Sequence, residues 1–173
     1  MRNIDFFLKK GQVVKDKTVS TLARKYLEKA KNNLVTMNIL SEIQDNKKAR
    51  ELLKIPKDYD PNEWVVIIGY YAMYTAALAL LAKIGFRSKN HAATIFVLEE
   101  FFANERNLNE KDLSLIRHAQ FQKEEFEKLS EARHKREIAQ YSVTKQTTKE
   151  IAEKIKSDAY LFVNKCEEIF IKG

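Results

Sequence analysis

PNEWVVIIGYYAMYTAALALLAKI, residues 61–84, is the stretch that decides the fold class. From Trp64 to Ala82 runs a segment of 19 residues without one charged side chain, which is the length of a membrane span. Its interior argues against a span. Tyr70, Tyr71, Tyr74 and Thr75 sit in the middle, not at the two interfaces where aromatic belts form. Gly69, Ala72, Ala76, Ala77 and Ala79 dilute the hydrophobicity further. A helix apolar all round and not in lipid must be enclosed by neighbours. The segment is therefore expected at the centre of a helical bundle, or with one side covered by a second subunit. Asp60 is expected to cap it, with Pro61 at the first helical position and Glu63 in the first turn, and Gly85 to end it.

The flanking sequence supplies the enclosing helices. Leu22, Tyr26, Leu27, Ala30, Leu34, Met37 and Leu40 recur three or four apart and predict a helix from about Thr18 to Asp45. A polar linker, 45–59, follows. Beyond Gly85, Ser88 is read as the cap of a helix over 89–103, with Ala92, Ile95, Phe96, Leu98, Phe101 and Phe102 apolar. Asn109 with Asp112 resembles a capping box for a long helix over 110–142, and Thr147 with Glu150 repeats the pattern for one over 148–171. Cys166 falls on the apolar stripe of that last helix and is read as core packing. Residues 3–10 form a short helix or arm ending at Gly11. The expected architecture is all-α, a single up-and-down bundle of about five helices over 1–173, with 1–17 as an N-terminal arm.

Composition agrees. Apolar residues make up 45% and charged residues 32%, with 4 glycines and 2 prolines, too few turn residues for a sheet protein. One cysteine excludes an internal disulfide framework and a Cys-rich zinc site. The first residues, MRNIDFFLKKG, lack the long apolar stretch and cleavage site of a signal peptide, so a cytoplasmic location is expected. The net charge of +7 is unevenly placed. Residues 1–58 hold 14 Lys and Arg against 7 Asp and Glu, whereas 59–173 hold 17 of each. Lys9, Lys10, Lys15, Lys17, Arg24, Lys25, Lys29 and Lys31 could attract phosphate; a solvated Lys/Glu-rich face is the plainer reading of the same residues.

Catalytic signatures are scarce. The three histidines, His91, His118 and His134, form no His-x3-His or Glu-x-x-His pair to hold a metal from one helix face. No Gly-rich phosphate loop or nucleophile elbow occurs, and neither metal nor cofactor is expected. Two constellations stand out. Arg87, Lys89 and His91 gather at a helix entrance, where unpaired N–H groups and the helix dipole favour phosphate. Arg133 and His134 lead through Arg136 to Tyr141, cations ending in an aromatic, where a base can stack while guanidinium holds phosphate. An ordinary cap and ordinary helix-end cations are the plain alternatives.

LARKYLEKAKNNL (22–34), EWVVIIGYYAMYTAALALLAKIGFRSKNHAATIFVLEEFF (63–102) and EARHKREIAQYSV (131–143) resemble, in this order, the HEPN domain family, the small prokaryotic branch of it. The resemblance covers roughly residues 18–143. Tyr70-Tyr71-Ala72-Met73-Tyr74, the step from Gly85 to His91, and Arg136, Ala139, Gln140 and Tyr141 carry it. It implies a helical bundle that dimerises, nucleotide or RNA binding, and in many relatives a toxin–antitoxin pairing with a minimal nucleotidyltransferase. It also implies metal-independent RNase activity in those relatives where Arg is followed after four to six residues by His. That motif is absent here: no arginine lies five to seven residues before a histidine, and Arg136 has Tyr141 in the histidine's place. A phenol titrating near 10 is a poor proton carrier at neutral pH, whereas imidazole is a good one. Binding without cleavage is the first expectation. A weak endoribonuclease using Arg136 with Tyr141, His134 or His91 is the second, and a protein-interaction module without nucleic-acid ligand the third.

Overall fold

The computed structural model describes residues 4–103, 108–119 and 145–172. Helix α1 (Ile4–Lys9) leads through Gly11 into strand β1 (Val13–Lys15). A 3-10 helix (Lys17–Leu22) opens helix α2 (Ala23–Asp45). Then come α3 (Lys47–Leu52), α4 (Asn62–Lys83), β2 (Phe86–Ser88) and α5 (His91–Leu98), which continues as a π-helical turn over Glu99–Ala103. Helix α6 is described over 110–119, and α7 spans Lys145–Lys172. The all-α expectation holds.

Helix α4 is the centre, as its uncharged sequence demands. Val65, Val66, Tyr70, Met73, Ala76, Ala77, Leu80 and Leu81 are all buried. By length and composition α4 could cross a membrane, but most of its apolar window is buried inside the bundle. It packs chiefly on α2 and α7. The pairings fix the directions. Gly69 of α4 meets Met37 of α2 and Ile155 of α7, and Ala82 clusters with Ala23 at the start of α2. Lys83 lies over the Phe170 ring, 4.8 Å from its centroid, and donates to that residue's carbonyl. So α2 runs antiparallel to α4, while α4 and α7 run parallel. Lys31–Glu167 (2.5 Å) and Asp45–Lys149 (2.7 Å) tie the middle and the C-terminal end of α2 to α7.

Local chemistry sets the boundaries. The Asn109 side chain accepts from the Asp112 N–H (3.0 Å) while Asp112 accepts from the Asn109 N–H (2.9 Å), the reciprocal box expected for α6. Asp60 accepts from the Asn62 N–H (3.0 Å), but the helix begins at Asn62 with Pro61 in the cap position, one residue later than the expected Asp60 cap and Pro61 start. Cys166 is fully buried, and burial pushes its thiol well up, so it packs as a small hydrophobe.

Four further boundaries differ from expectation. Asp16, not Thr18, begins the first long helical segment: its carboxylate accepts from the Thr18 N–H (3.0 Å) and opens a 3-10 turn. The 45–59 linker contains α3, because Asn46 caps it by accepting from the Ala49 N–H (3.0 Å). Arg50 then holds the rest of that linker through the carbonyls of Pro56 (2.8 Å) and Tyr59 (3.0 Å). Ser88 is not the cap of α5. It belongs to β2, and Asn90 caps instead, accepting from the Ala93 N–H at 2.8 Å. Thr147 lies inside α7, which starts two residues earlier. The antiparallel ribbon of β1 and β2, with Val13 opposite Ser88, Val14 opposite Arg87 and Lys15 opposite Phe86, has no counterpart in the sequence-based expectation.

Candidate nucleic-acid interface

The ribbon is what assembles the site. Val13 and Phe86 point their bulk into the core, so the pairing is anchored by burial, and the intervening side chains Val14 and Arg87 face outward. Gly85 makes the sharp step before β2 at φ +76, a left-handed conformation open to glycine. The Lys89 N–H donates to the Gln12 carbonyl (2.9 Å) and locks the ribbon's far end. In consequence the cations of the first seventeen residues come beside those at the mouth of α5. Lys9, Lys10, Lys15, Lys17, Arg87 and Lys89 are all exposed around this ribbon. Arg87 pairs with Asp16 at 3.0 Å. The Thr18 hydroxyl hydrogen bond, aided by the Thr18 N–H and Arg87, holds the Asp16 carboxyl below its ordinary value.

Next to these cations stands a cluster that the sequence did not announce. His91 opens α5, and its Nδ1 is hydrogen-bonded to the hydroxyl of Tyr70 on α4. Tyr70 is only 1% exposed. Tyr74, one turn further along α4, places its ring 4.3 Å from the imidazole, centroid to centroid, and stacks on Tyr70 at 5.9 Å. Thr94, one turn into α5, directs its hydroxyl toward the Tyr74 oxygen at 3.5 Å. Burial pushes the Tyr74 phenol up, so it stays neutral. Two tyrosines spaced i, i+4 on α4 thus cradle one imidazole at the entrance of α5.

The sequence-derived candidates divide accordingly. Arg87, Lys89 and His91 lie together at the ribbon and the mouth of α5, with His91 half-buried and the two cations exposed. Arg133, His134, Arg136 and Tyr141 lie outside the described residues. In the sequence, Tyr70 and Tyr74 stand out only as part of the apolar helix; the i, i+4 spacing of hydroxyl-bearing rings is the signal that marks them. His118 lies elsewhere, on α6, with Nδ1 3.9 Å from the buried Asp158 of α7. Among the described residues no group of His, Cys, Asp and Glu is arranged to hold a metal ion.

The HEPN domain family model matches residues 43–169. The match begins near the end of α2 and reaches through α7, further toward the C-terminal side than the motifs that carry the resemblance. A UPF0332 protein of Archaeoglobus fulgidus is 37% identical over 104 residues, covering 60% of this chain and 72% of that protein. No solved structure matches significantly.

Proposed function

Because the chain belongs to the HEPN domain family, a family of helical domains related to nucleotides and RNA, we propose that it binds RNA or nucleotide phosphate on the ribbon face at the mouth of α5. One observation carries this reading: the β1–β2 pairing puts Lys15 and Lys17 on the same ribbon as Arg87 and Lys89, which leads on to the half-buried His91. Phosphate contacts by exposed cations supply sequence-independent affinity. Exposed aromatic rings beside them can stack bases. Arg133, His134, Arg136 and Tyr141 are the second proposed binding segment, in the same role.

The same reading takes the chain as a cytoplasmic homodimer, with a minimal nucleotidyltransferase as a candidate partner protein. Support for the dimer comes from α4. Trp64 and Tyr71 are 52% and 40% exposed, and Ile67, Tyr74 and Leu78 are half-buried on the same side. The 3-4-3-4 spacing is a coiled-coil seam, and with no charge along it a second copy is its natural complement.

The test is a salt titration with a fluorescent single-stranded oligoribonucleotide and chelator present. Affinity should fall as salt rises. Lys15→Gln, Lys17→Gln, Arg87→Gln and Lys89→Gln combined should flatten the slope by about 0.7 for each phosphate no longer neutralised. Arg136→Ala should weaken binding with helicity intact. RNA recovered whole agrees with binding alone, whereas chelator-resistant cleavage favours the endoribonuclease reading. Absence of binding even at low ionic strength sinks the proposal in favour of a protein-interaction module.

A further inference from the structure

We infer that the tip formed by α3 and the turn after it docks on an anionic lipid surface, with Leu52 and Leu53 entering the interface and Lys47, Lys48, Lys54 and Lys57 meeting the headgroup phosphates. Helix α3 buries none of its residues. Leu52 is 82% exposed and Leu53 58% exposed, so two adjacent leucines stand in water where folding gains little from them. The stretch 47–57, KKARELLKIPK, holds five Lys and Arg against one acid, Glu51. All four lysines are exposed. The fifth cation, Arg50, is spent on the fold: its guanidinium donates to the carbonyls of Pro56 (2.8 Å) and Tyr59 (3.0 Å). That clasp bends the chain back, so Lys47 and Lys57 line the same cleft although a turn and most of α3 separate them in sequence. Of the acids that flank the tip, Asp45 pairs with Lys149 at 2.7 Å, Asp60 accepts from the Asn62 N–H at 3.0 Å, and Asp58 is exposed.

Composition and shape together favour lipid over other partners. Phosphate on RNA would engage the lysines but has no use for two leucines. A stable protein interface takes about 800 Å² of matching surface on each side, and a six-residue helix with no buried residue offers only a convex point. A bilayer interface needs no matching groove. It takes apolar side chains between its headgroups, while anionic headgroups hold the surrounding lysines. The placement also keeps the tip away from the ribbon. Because α2 and α4 run antiparallel, α3, which lies between them in the chain, stands at the start of α4, whereas β2 follows its end. Helix α4 has 22 residues, so its two ends are about 33 Å apart at the usual helical rise. Lipid and RNA would be held at opposite ends of the bundle, and neither reading depends on the other.

Co-sedimentation of the full chain with lipid vesicles is the test. The protein should bind vesicles of equal parts phosphatidylglycerol and phosphatidylcholine, leave them as salt rises, and ignore pure phosphatidylcholine. Leu52→Ser with Leu53→Ser should lower the partition about 10-fold or more, the loss of two partly inserted side chains. Lys48→Gln with Lys54→Gln should lower it about 10- to 30-fold, since each cation near an anionic surface contributes about 5-fold. All four side chains are exposed, so helicity should be unchanged in both variants. The ribbon is cationic as well, which makes Lys15→Gln, Lys17→Gln, Arg87→Gln and Lys89→Gln combined the control: it should cost less vesicle binding than either tip variant. No binding to the anionic vesicles at low ionic strength, full binding by the leucine variant, or a loss confined to the ribbon variant overturns the inference. So does a leucine variant that keeps its vesicles but loses a co-purifying protein, because a protein then occupies the tip.

Discussion

Replacing Gly69 by alanine sets two effects of opposite sign against each other, and the structure decides between them. In an open helix interior the change would stabilise by about 1 kcal/mol through helix propensity alone. Gly69 is not open. A β-carbon there would lie 2.8 Å from Ile155 Cγ2 and 3.0 Å from Met37 Sδ, closer than packed carbon and sulfur atoms tolerate. Ile155 and Met37 are themselves completely buried, so neither can swing into solvent. Overpacking of this kind costs about 1–3 kcal/mol. The balance is a net loss of about 1 kcal/mol, which lowers the thermal midpoint by roughly 2–4 °C in a chain of this size. Chemical denaturation of Gly69→Ala measures it, and a double-mutant cycle assigns it. Leucine at 155 lacks the β-branched methyl, so Gly69→Ala should cost at least about 0.5 kcal/mol less in an Ile155→Leu background. A stabilised Gly69→Ala protein, or zero coupling to residue 155, would refute the idea that α2, α4 and α7 meet through this glycine.

Two further outcomes follow from features of the surface. Trp64→Glu with Tyr71→Glu should convert the proposed dimer to a species of 20.2 kDa in sedimentation with unchanged helicity; wild-type protein already monomeric at micromolar concentration rules the seam out as an interface. The ribbon should loosen in acid. Folded Asp16 has its carboxyl held below the ordinary value, chiefly by the Thr18 hydroxyl, so the unfolded chain binds the proton more readily and protonation favours opening. The stabilisation is present above the ordinary carboxylate range and is lost as pH falls through the lowered folded value. Amide exchange at Thr18, corrected for its intrinsic rate, should report this, and Asp16→Asn should remove the dependence.

What the sequence disclosed and what it hid have physical causes. A run without charge from Trp64 to Ala82 admits few environments, so the central place of α4 was legible. The Asn109–Asp112 box and the core position of Cys166 were legible because each depends on neighbours within one or two turns. The ribbon was not, since three-residue strands are too short to show alternation and the partners join residue 13 to residue 88. That omission also moved the α5 cap: Ser88 and Asn90 are both good capping residues, and only the pairing of Ser88 with Val13 assigns the role to Asn90. Helix α3 escaped because KKAREL has no apolar period. In the candidate site, Arg87, Lys89 and His91 could be named from residue type. Their company, Lys15 and Lys17 across the ribbon and Tyr70 across the helix pair, depends on residues far apart in the chain.

The parallel pairing of α4 with α7 bears on how the protein is made. Gly69 is synthesised long before Ile155, the residue that closes over it. At cellular rates of about 5–20 residues per second, that interval is on the order of ten seconds. Throughout it, the nascent chain carries a nearly uncharged helix whose α7-facing side is uncovered, while α2 and α5 can shield other sides. Helix α7 completes that part of the core from a distance in sequence, so that part of the native packing cannot form before α7 is made. The sparse charges that make α4 a good centre for the finished bundle also make the unfinished chain a client for any factor that shelters apolar segments during translation.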